Sequence, residues 1–293
     1  MGAVTERHAF VGDVQGCADE FDALLERLES DLGSDFRLHC VGDMVNRGPD
    51  NLRVLERLRD RIESGRAEYV LGNHEIGLIA RYLGIREPSA GDTVADVLES
   101  REAGEWVEWL RGQSLCRTGE IAGQRYVMVH ASVHPDWDFE TCRLRAERSE
   151  GRLRDGDLEK CRLFLAESGE PGDARDDLGR FLSCRSVDRK GGWWSREPDP
   201  KRSEAWHEVW RTVGHDYGVV YGHWSFQGLL VEPGLRGLDT GCVHNAPGRP
   251  GFLTAWTPAL DSTSALFGVP DDHFVSEPAH REHGRQREGP KGP

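Results

Sequence analysis

The sequence predicts an α/β fold in which short buried strands alternate with amphipathic helices, followed by a helix-leaning insertion. Three observations carry that expectation. A strand–helix rhythm repeats through the first 85 residues, further apolar strand-like runs follow residue 125, and the stretch from about 140 to 215 turns Arg/Glu-rich with few strand signals.

His8-Ala9-Phe10-Val11 reads as the first strand. Phe21, Leu24, Leu25, Leu28 and Leu32 then share one helical face, at spacings that match a 3.6-residue period. A second strand over 37–41 precedes a helix carrying Leu52, Leu55, Leu58 and Ile62. A third over 68–71 precedes a helix carrying Ile76, Ile79 and Leu83. Strands joined through helices in this way are at least partly parallel, because a parallel connection needs a long crossover. Later strands are expected over 125–129, 218–221, 237–238 and 252–256. The domain is expected to span 7–257, with an insertion or cap over about 140–215. Residues 271–293, rich in Pro, Gly, His and charge, are expected to be a disordered tail.

Composition excludes several function classes. No apolar run approaches the roughly 20 residues of a membrane span, so no membrane partner is expected. No apolar stretch of signal-peptide length precedes the first strand. Seven scattered cysteines, odd in number and never spaced C-x-x-C, suit thiols in a reducing, cytoplasmic setting rather than a disulfide scaffold or zinc ribbon. With 37 Lys+Arg against 51 Asp+Glu the formal charge is −14, which repels duplex nucleic acid at long range. A chain of this charge that handles phosphates needs a concentrated positive source, either a metal cluster or a few arginines.

The strand ends hold the chemistry. The first strand runs into Gly12-Asp13-Val14-Gln15-Gly16 and the second into Gly42-Asp43-Met44-Val45-Asn46-Arg47-Gly48. The third runs into Gly72-Asn73-His74-Glu75, and later strands into His130-Ala131-Ser132 and Gly222-His223-Trp224. Asp13, Asp43 and Asn73 lie 30 residues apart, about one strand–helix–strand unit each time. Ligands of open α/β sheets sit beyond the C-terminal strand ends, so Asp, Asp, Asn, His and His are expected at one edge of the sheet. Oxygen donors with two imidazoles at one rim suit a two-metal site, in which a carboxylate bridges the ions. Glycines at these turns allow tight conformations and close approach.

This series resembles the calcineurin-like metallophosphoesterases, in the phosphoprotein-phosphatase-type branch. Within it the chain is most similar to the bacterial symmetrical diadenosine tetraphosphatases, notably in Gly12–Cys17, Val70–Glu75, His130–Asp138, Tyr221–Trp224 and Leu238–Cys242. The resemblance covers about 7–137 and 217–257. It implies the metallophosphoesterase fold, mixed β-sheets flanked by helices, with a helical insertion. It implies two divalent ions: Asp13, Gln15 and Asp43 would hold one, and Asp43, Asn73, His130 and His223 the other. Arg47 would grip the attacked phosphate, His74 would act as general acid, and Arg185 would be a second phosphate-binding arginine. The implied substrate is a small nucleoside polyphosphate, diadenosine tetraphosphate cleaved to two ADP. A phosphoprotein Ser/Thr phosphatase, or a hydrolase of other nucleoside polyphosphates, shares the same residues.

Two departures sharpen the expectation. Gln15 stands where the wider superfamily has His, leaving the first site all-oxygen and favouring a hard ion, Mn²⁺. Asn46 stands where protein phosphatases have the Asp that charges the catalytic His, which lowers the expected His74 pKa and suits an anionic nucleotide leaving group. Glu75, by contrast, matches the protein-phosphatase spelling. His8 and His39 read as core or edge residues, and Asp239 as shaping a loop below the site. His244 follows the Asp239–Cys242 turn closely enough to approach the rim. Trp193-Trp194, Trp206 and Trp210 read either as base-stacking surfaces or as anchors of a small cap.

Overall fold

Three strand–helix units open the computed structural model, which describes residues 6–188, 190–259, 267 and 273–282. They are β1 (His8–Val11) and α1 (Ala18–Leu32), β2 (Arg37–Cys40) and α2 (Asn51–Glu63), and β3 (Ala67–Tyr69) and α3 (Asn73–Tyr82). Next come α4 (Ala95–Leu98), α5 (Ala103–Arg111), β4 (Cys116–Ile121) and β5 (Gln124–Val129). The helix-leaning stretch holds α6 (Phe139–Arg154), α7 (Leu158–Ala166), α8 (Ala174–Ser183) and α9 (Trp206–Val213). It also holds three two-residue strands, β6 (Ser186–Val187), β7 (Trp193–Trp194) and β8 (Glu204–Ala205). The chain then gives β9 (Tyr217–Tyr221), β10 (Leu230–Glu232), β11 (Leu235–Gly237), β12 (Phe252–Trp256) and β13 (Phe274–Pro278).

The strands form two five-stranded sheets, ordered β13-β12-β1-β2-β3 and β10-β11-β9-β5-β4, with β7-β6-β8 as a small third. The first pairs β1, β2 and β3 in parallel, and the second pairs β5, β9 and β11 in parallel. The strand ends expected at one edge of one sheet therefore come from two sheets. Periodicity reports which residues are buried but not which strands pair, so one sheet and two give the same sequence pattern.

Each sheet buries both faces. On β1, Ala9 and Val11 pack with Phe21, Leu24, Leu25 and Leu28 of α1, while Phe10 turns to the other side. There it joins Tyr126, Met128, Val220 and Trp256, a cluster drawn from both sheets, so the sheets pack face to face. Such double burial explains why β1 reads as a continuous apolar run rather than an alternating one.

The tail expectation is corrected over 273–282. Residues 274–278 are β13, paired antiparallel with all of β12 and covering what would otherwise be an open sheet edge. Arg27 donates to the Ser276 carbonyl at 2.6 Å, and the His280 N–H donates to Glu20 Oε1 at 2.8 Å, tying this strand to α1. Its Pro, Ser and Glu content masks a strand whose main-chain hydrogen bonds are satisfied by β12. The remainder of the expected tail, including His283, lies outside the described residues.

Ending the chain after residue 272 should lower Tm by several degrees in circular dichroism melts, because it strips the edge of β12. An unchanged Tm would mean β13 adds nothing to the sheet.

Candidate metal centre

Among the described residues, five of the six non-glycine residues with left-handed backbone are Gln15, Asp43, Asn46, Arg47 and His223, at φ 50°, 50°, 78°, 73° and 68°. Such conformations cost about 1–3 kcal/mol each and persist only where surrounding bonds hold them. Here they gather at the ends of β1, β2 and β9, in the turns that carry the sequence-expected site residues.

The bonds that hold them are specific. Glu75, fully buried in the first turn of α3, accepts four main-chain N–H groups. Oε1 takes Met44 and Val45 at 2.8 and 3.1 Å, and Oε2 takes Asp43 and Gly72 at 3.0 and 2.7 Å. The Gln15 N–H donates to the Asp43 carbonyl at 2.8 Å, so the β1 and β2 turns brace one another. Gln15 itself is buried in that turn. Glycine is required where these turns touch. A Cβ at Gly72 would lie 2.1 Å from Asp43 Oδ1, and one at Gly222 would lie 2.0 Å from Asp13 Oδ1.

Donor atoms of Asp43, His130 and His223 all lie within 4.8 Å of one another. His130 Nδ1 faces the Val41 carbonyl at 3.0 Å. A carbonyl only accepts, so Nδ1 carries the proton and Nε2 keeps its lone pair. That lone pair points to Asp43 Oδ2 at 3.3 Å and Asn73 Oδ1 at 3.1 Å. His223 Nε2 is buried without a hydrogen-bond partner. Asn73 closes the group: turned over, its amide would donate to His223 Nδ1 at 2.8 Å and His130 Nε2 at 3.1 Å. With the oxygen facing them instead, Asn73 presents an acceptor beside both imidazoles, a mixed oxygen and nitrogen set that suits a cation. Asp13 is held alongside, its carboxylate accepting the His223 N–H at 3.1 Å.

The electrostatics agree. Burial, then Asp239 and Asp43, push the Asp13 pKa well above the usual carboxylate range. Burial and Asp43 likewise raise Asp239 to about 6, against the hydrogen bond it accepts from the Gly241 N–H at 3.0 Å. Asp43 moves the other way: burial opposes ionisation, but His130 and His74 hold its carboxyl below its ordinary value. Carboxylates crowded in a dry site, with imidazoles beside them, fit divalent cations. The fit covers Asp13, Asp43, Asn73, His130 and His223.

His74 sits beside this group, its Nε2 3.6 Å from Asp43 Oδ2. Its other nitrogen meets Asn46 Nδ2 at 2.8 Å. The Asn46 oxygen accepts the Arg47 and Thr93 N–H groups at 2.9 and 3.0 Å, so the amide orientation is fixed and the NH₂ must face His74. Nδ1 is therefore an acceptor, and the proton of neutral His74 resides on Nε2, toward the site. An imidazolium would set N–H against N–H there. Burial first, then Arg47 and His130, also lower the His74 pKa. Behind Asn46 stands Asp92, which accepts its NH₂ at 3.2 Å.

Arginines border the rim. Arg47 Nη1 is buried without a hydrogen bond, 3.8 Å from Asp92 Oδ1. Arg185 donates to the Ser195 carbonyl at 3.0 Å and the His223 carbonyl at 3.3 Å, leaving Nε unpartnered. The structure thus gathers Asp13, Gln15, Asp43, Arg47, Asn73, His74, His130, Arg185 and His223 around adjoining turns. Trp206 and Trp210 are buried, whereas Trp193 and Trp194 are half-buried, and Trp193 Nε1 donates to Asp176 at 2.8 Å. The sequence reading missed two residues. Glu75 appeared only as a family spelling, and Asp92 lies in the Gly91-Asp92-Thr93 loop, whose sequence carries no distinguishing signal.

A family model described as calcineurin-like phosphoesterase matches residues 7–227. The symmetrical bis(5'-nucleosyl)-tetraphosphatase of Bordetella pertussis (strain Tohama I) is 35% identical over 254 residues, covering 80% of this chain and 87% of the relative. The protein of that name from Methylococcus capsulatus (strain Bath) is 36% identical over 280 residues, covering 90% and 95%. A crystal structure of a provisionally named diadenosine tetraphosphatase superposes with a TM-score of 0.59 at 23% identity, covering 95% of this chain and 96% of that one. A Saccharomyces cerevisiae protein serine/threonine phosphatase gives 0.53 at 12% identity, covering 97% and 82%.

Glu75→Gln should cost about 2–4 kcal/mol, because an amide NH₂ would face two main-chain N–H groups and leave them unsatisfied. Thermal denaturation checks this; a loss below about 0.5 kcal/mol would show that the Asp43 turn does not depend on Glu75.

Proposed function

The chain belongs to the calcineurin-like phosphoesterases, a hydrolase family that works with divalent metal ions, and we propose that it cleaves diadenosine tetraphosphate symmetrically into two ADP. The observation that carries this reading is the convergence of Asp43, His130 and His223 donors within 4.8 Å, in a chain 35–36% identical to symmetrical tetraphosphatases. In this reading Asp13, Gln15 and Asp43 hold one ion and Asp43, Asn73, His130 and His223 the other. The all-oxygen first set favours Mn²⁺. When bound, the two ions supply Lewis-acid activation of water and of the phosphoryl oxygens.

The chain's own residues do the rest. Arg47, with Nη1 unpartnered, binds oxygens of the attacked phosphate and stabilises the charge that develops on them. Arg185, anchored on the His223 carbonyl, takes a neighbouring phosphate. His74 presents its Nε2 proton to the departing oxygen. As a neutral imidazole it offers a hydrogen bond more readily than a full proton. ADP leaves as a stabilised anion and needs no more, whereas a Ser or Thr alkoxide requires protonation. Asn46 therefore tilts the site from phosphoprotein toward phosphoanhydride substrates.

No helix among the described residues is long and apolar enough to cross a membrane, and none of the seven cysteines forms a disulfide. A cytoplasmic enzyme acting on a small nucleoside polyphosphate, with no duplex nucleic acid or membrane as partner, is the setting that charge and cysteine usage support.

Chromatography after incubation with diadenosine tetraphosphate and Mn²⁺ should give ADP as sole product. ATP plus AMP would mean asymmetric cleavage and overturn the proposal. For the leaving-group argument, Asn46→Asp combined with Asp92→Asn places a carboxylate on His74 Nδ1 without a second acid behind it. The His74 pKa then rises, so the variant gains an imidazolium donor whose contribution is lost only as pH climbs past that raised value. Hydrolysis of an alkyl phosphomonoester should gain about tenfold or more over that of the dinucleotide. Equal changes on both substrates would refute the argument.

A further inference from the structure

Phe226 is the most exposed large hydrophobic side chain among the described residues, at 76% of its free area, and it lies three residues after His223. A single exposed phenylalanine needs no partner, but this one carries a fixed arginine on its ring beside the site. Arg249 covers part of it, with its guanidinium carbon 4.3 Å from the ring centroid. The same guanidinium donates to the Ser225 carbonyl at 3.1 Å, which fixes it on the turn that follows His223. The loop that delivers Arg249 is built rather than loose. Ala246 and Arg249 exchange main-chain hydrogen bonds at 3.0 and 2.9 Å, and the Asn245 side chain accepts the Gly251 N–H at 3.0 Å.

This loop reaches the rim. His244, on the same loop, has its pKa pushed down to about 4 by burial first, and then by Arg249, Arg47, His74 and Arg185. Arg249, on the Ser225 carbonyl, and Arg185, on the His223 carbonyl, thus hold the same turn, so their charges lie together at the rim. In a chain of net charge −14, three arginines and an exposed aromatic ring beside a metal centre have a chemical reading. Arginine edges take phosphate oxygens, and aromatic faces take nucleobases, whose π-faces stack without sequence preference.

We propose that Phe226 and Arg249 form a nucleoside-diphosphate clamp at the rim, with the base stacked on the Phe226 ring and Arg249 binding phosphate oxygens beyond those held by Arg47 and Arg185. The clamp rests on the phosphoanhydride reading above and names how the enzyme grips the nucleoside end of its substrate. A bare phosphoryl group uses only the arginines; a nucleotide uses the ring as well.

Calorimetric titration of the Mn²⁺-loaded full chain with ADP and with inorganic pyrophosphate separates the two contributions. Phe226→Ala should weaken ADP binding about fivefold or more while leaving pyrophosphate within twofold, and Phe226→Trp should restore ADP binding. Arg249→Ala should weaken both ligands. If Phe226→Ala changes neither ligand, or both equally, the base does not stack there. If Arg249→Ala leaves pyrophosphate unchanged, the phosphate contact falls. Should the wild-type chain fail to make ADP from diadenosine tetraphosphate while the ADP–pyrophosphate split holds, the cleavage reading fails and the clamp stands.

Discussion

Buried carboxylates facing one another are the constraint around which this structure is arranged. Asp13, Asp43 and Asp239 are all nearly inaccessible and close enough to perturb one another. A dry site can hold that much potential negative charge only with protons or cations. His130 is fixed by the Val41 carbonyl so that it turns a lone pair, not a proton, toward Asp43. His223 contributes a buried nitrogen without a hydrogen-bond partner. Even with both imidazoles charged, three carboxylates would keep an excess of negative charge, which divalent ions balance.

Holding such a cluster costs backbone strain, and the scaffold offsets it locally. Left-handed φ at Gln15, Asp43, Asn46, Arg47 and His223 is fixed by Glu75, by the main-chain bond between the β1 and β2 turns, and by Asp13 capping the His223 N–H. The Asp13–His223 bond crosses from one sheet to the other. Packing of the sheets through Phe10, Tyr126 and Trp256 is thus coupled to ligand placement, and the rim is part of the fold rather than an addition to it. The insertion is latched on by the same logic: the Ala131 N–H donates to the Phe181 carbonyl at 2.7 Å, and Ser132 Oγ to the Arg180 carbonyl at 3.1 Å.

Much of this was legible in the sequence because strand ends and glycines report geometry directly. Gly72 and Gly222 leave room for Asp43 and Asp13, so the G-N-H and G-H spellings encode contacts with carboxylates far away in the chain. The strands over 8–11, 37–40 and 252–256 were legible from apolar content alone. Division into two sheets was not, since pairing partners leave no local trace. Neither was β13, whose stability comes from β12 rather than from its own composition. Asp92 was hidden for a related reason. Its effect on His74 passes through Asn46, and only the fixed orientation of that amide reveals it.

The most direct test of a carboxylate cluster built for cations is to count them. Equilibrium dialysis of the purified chain against Mn²⁺, followed by elemental analysis, should find two ions per chain in the wild type. With Asp43→Asn, which removes the shared charge, it should find one or none at the same free Mn²⁺. Two ions retained by Asp43→Asn, or none in the wild type, would contradict the assignment of these residues as a dinuclear centre.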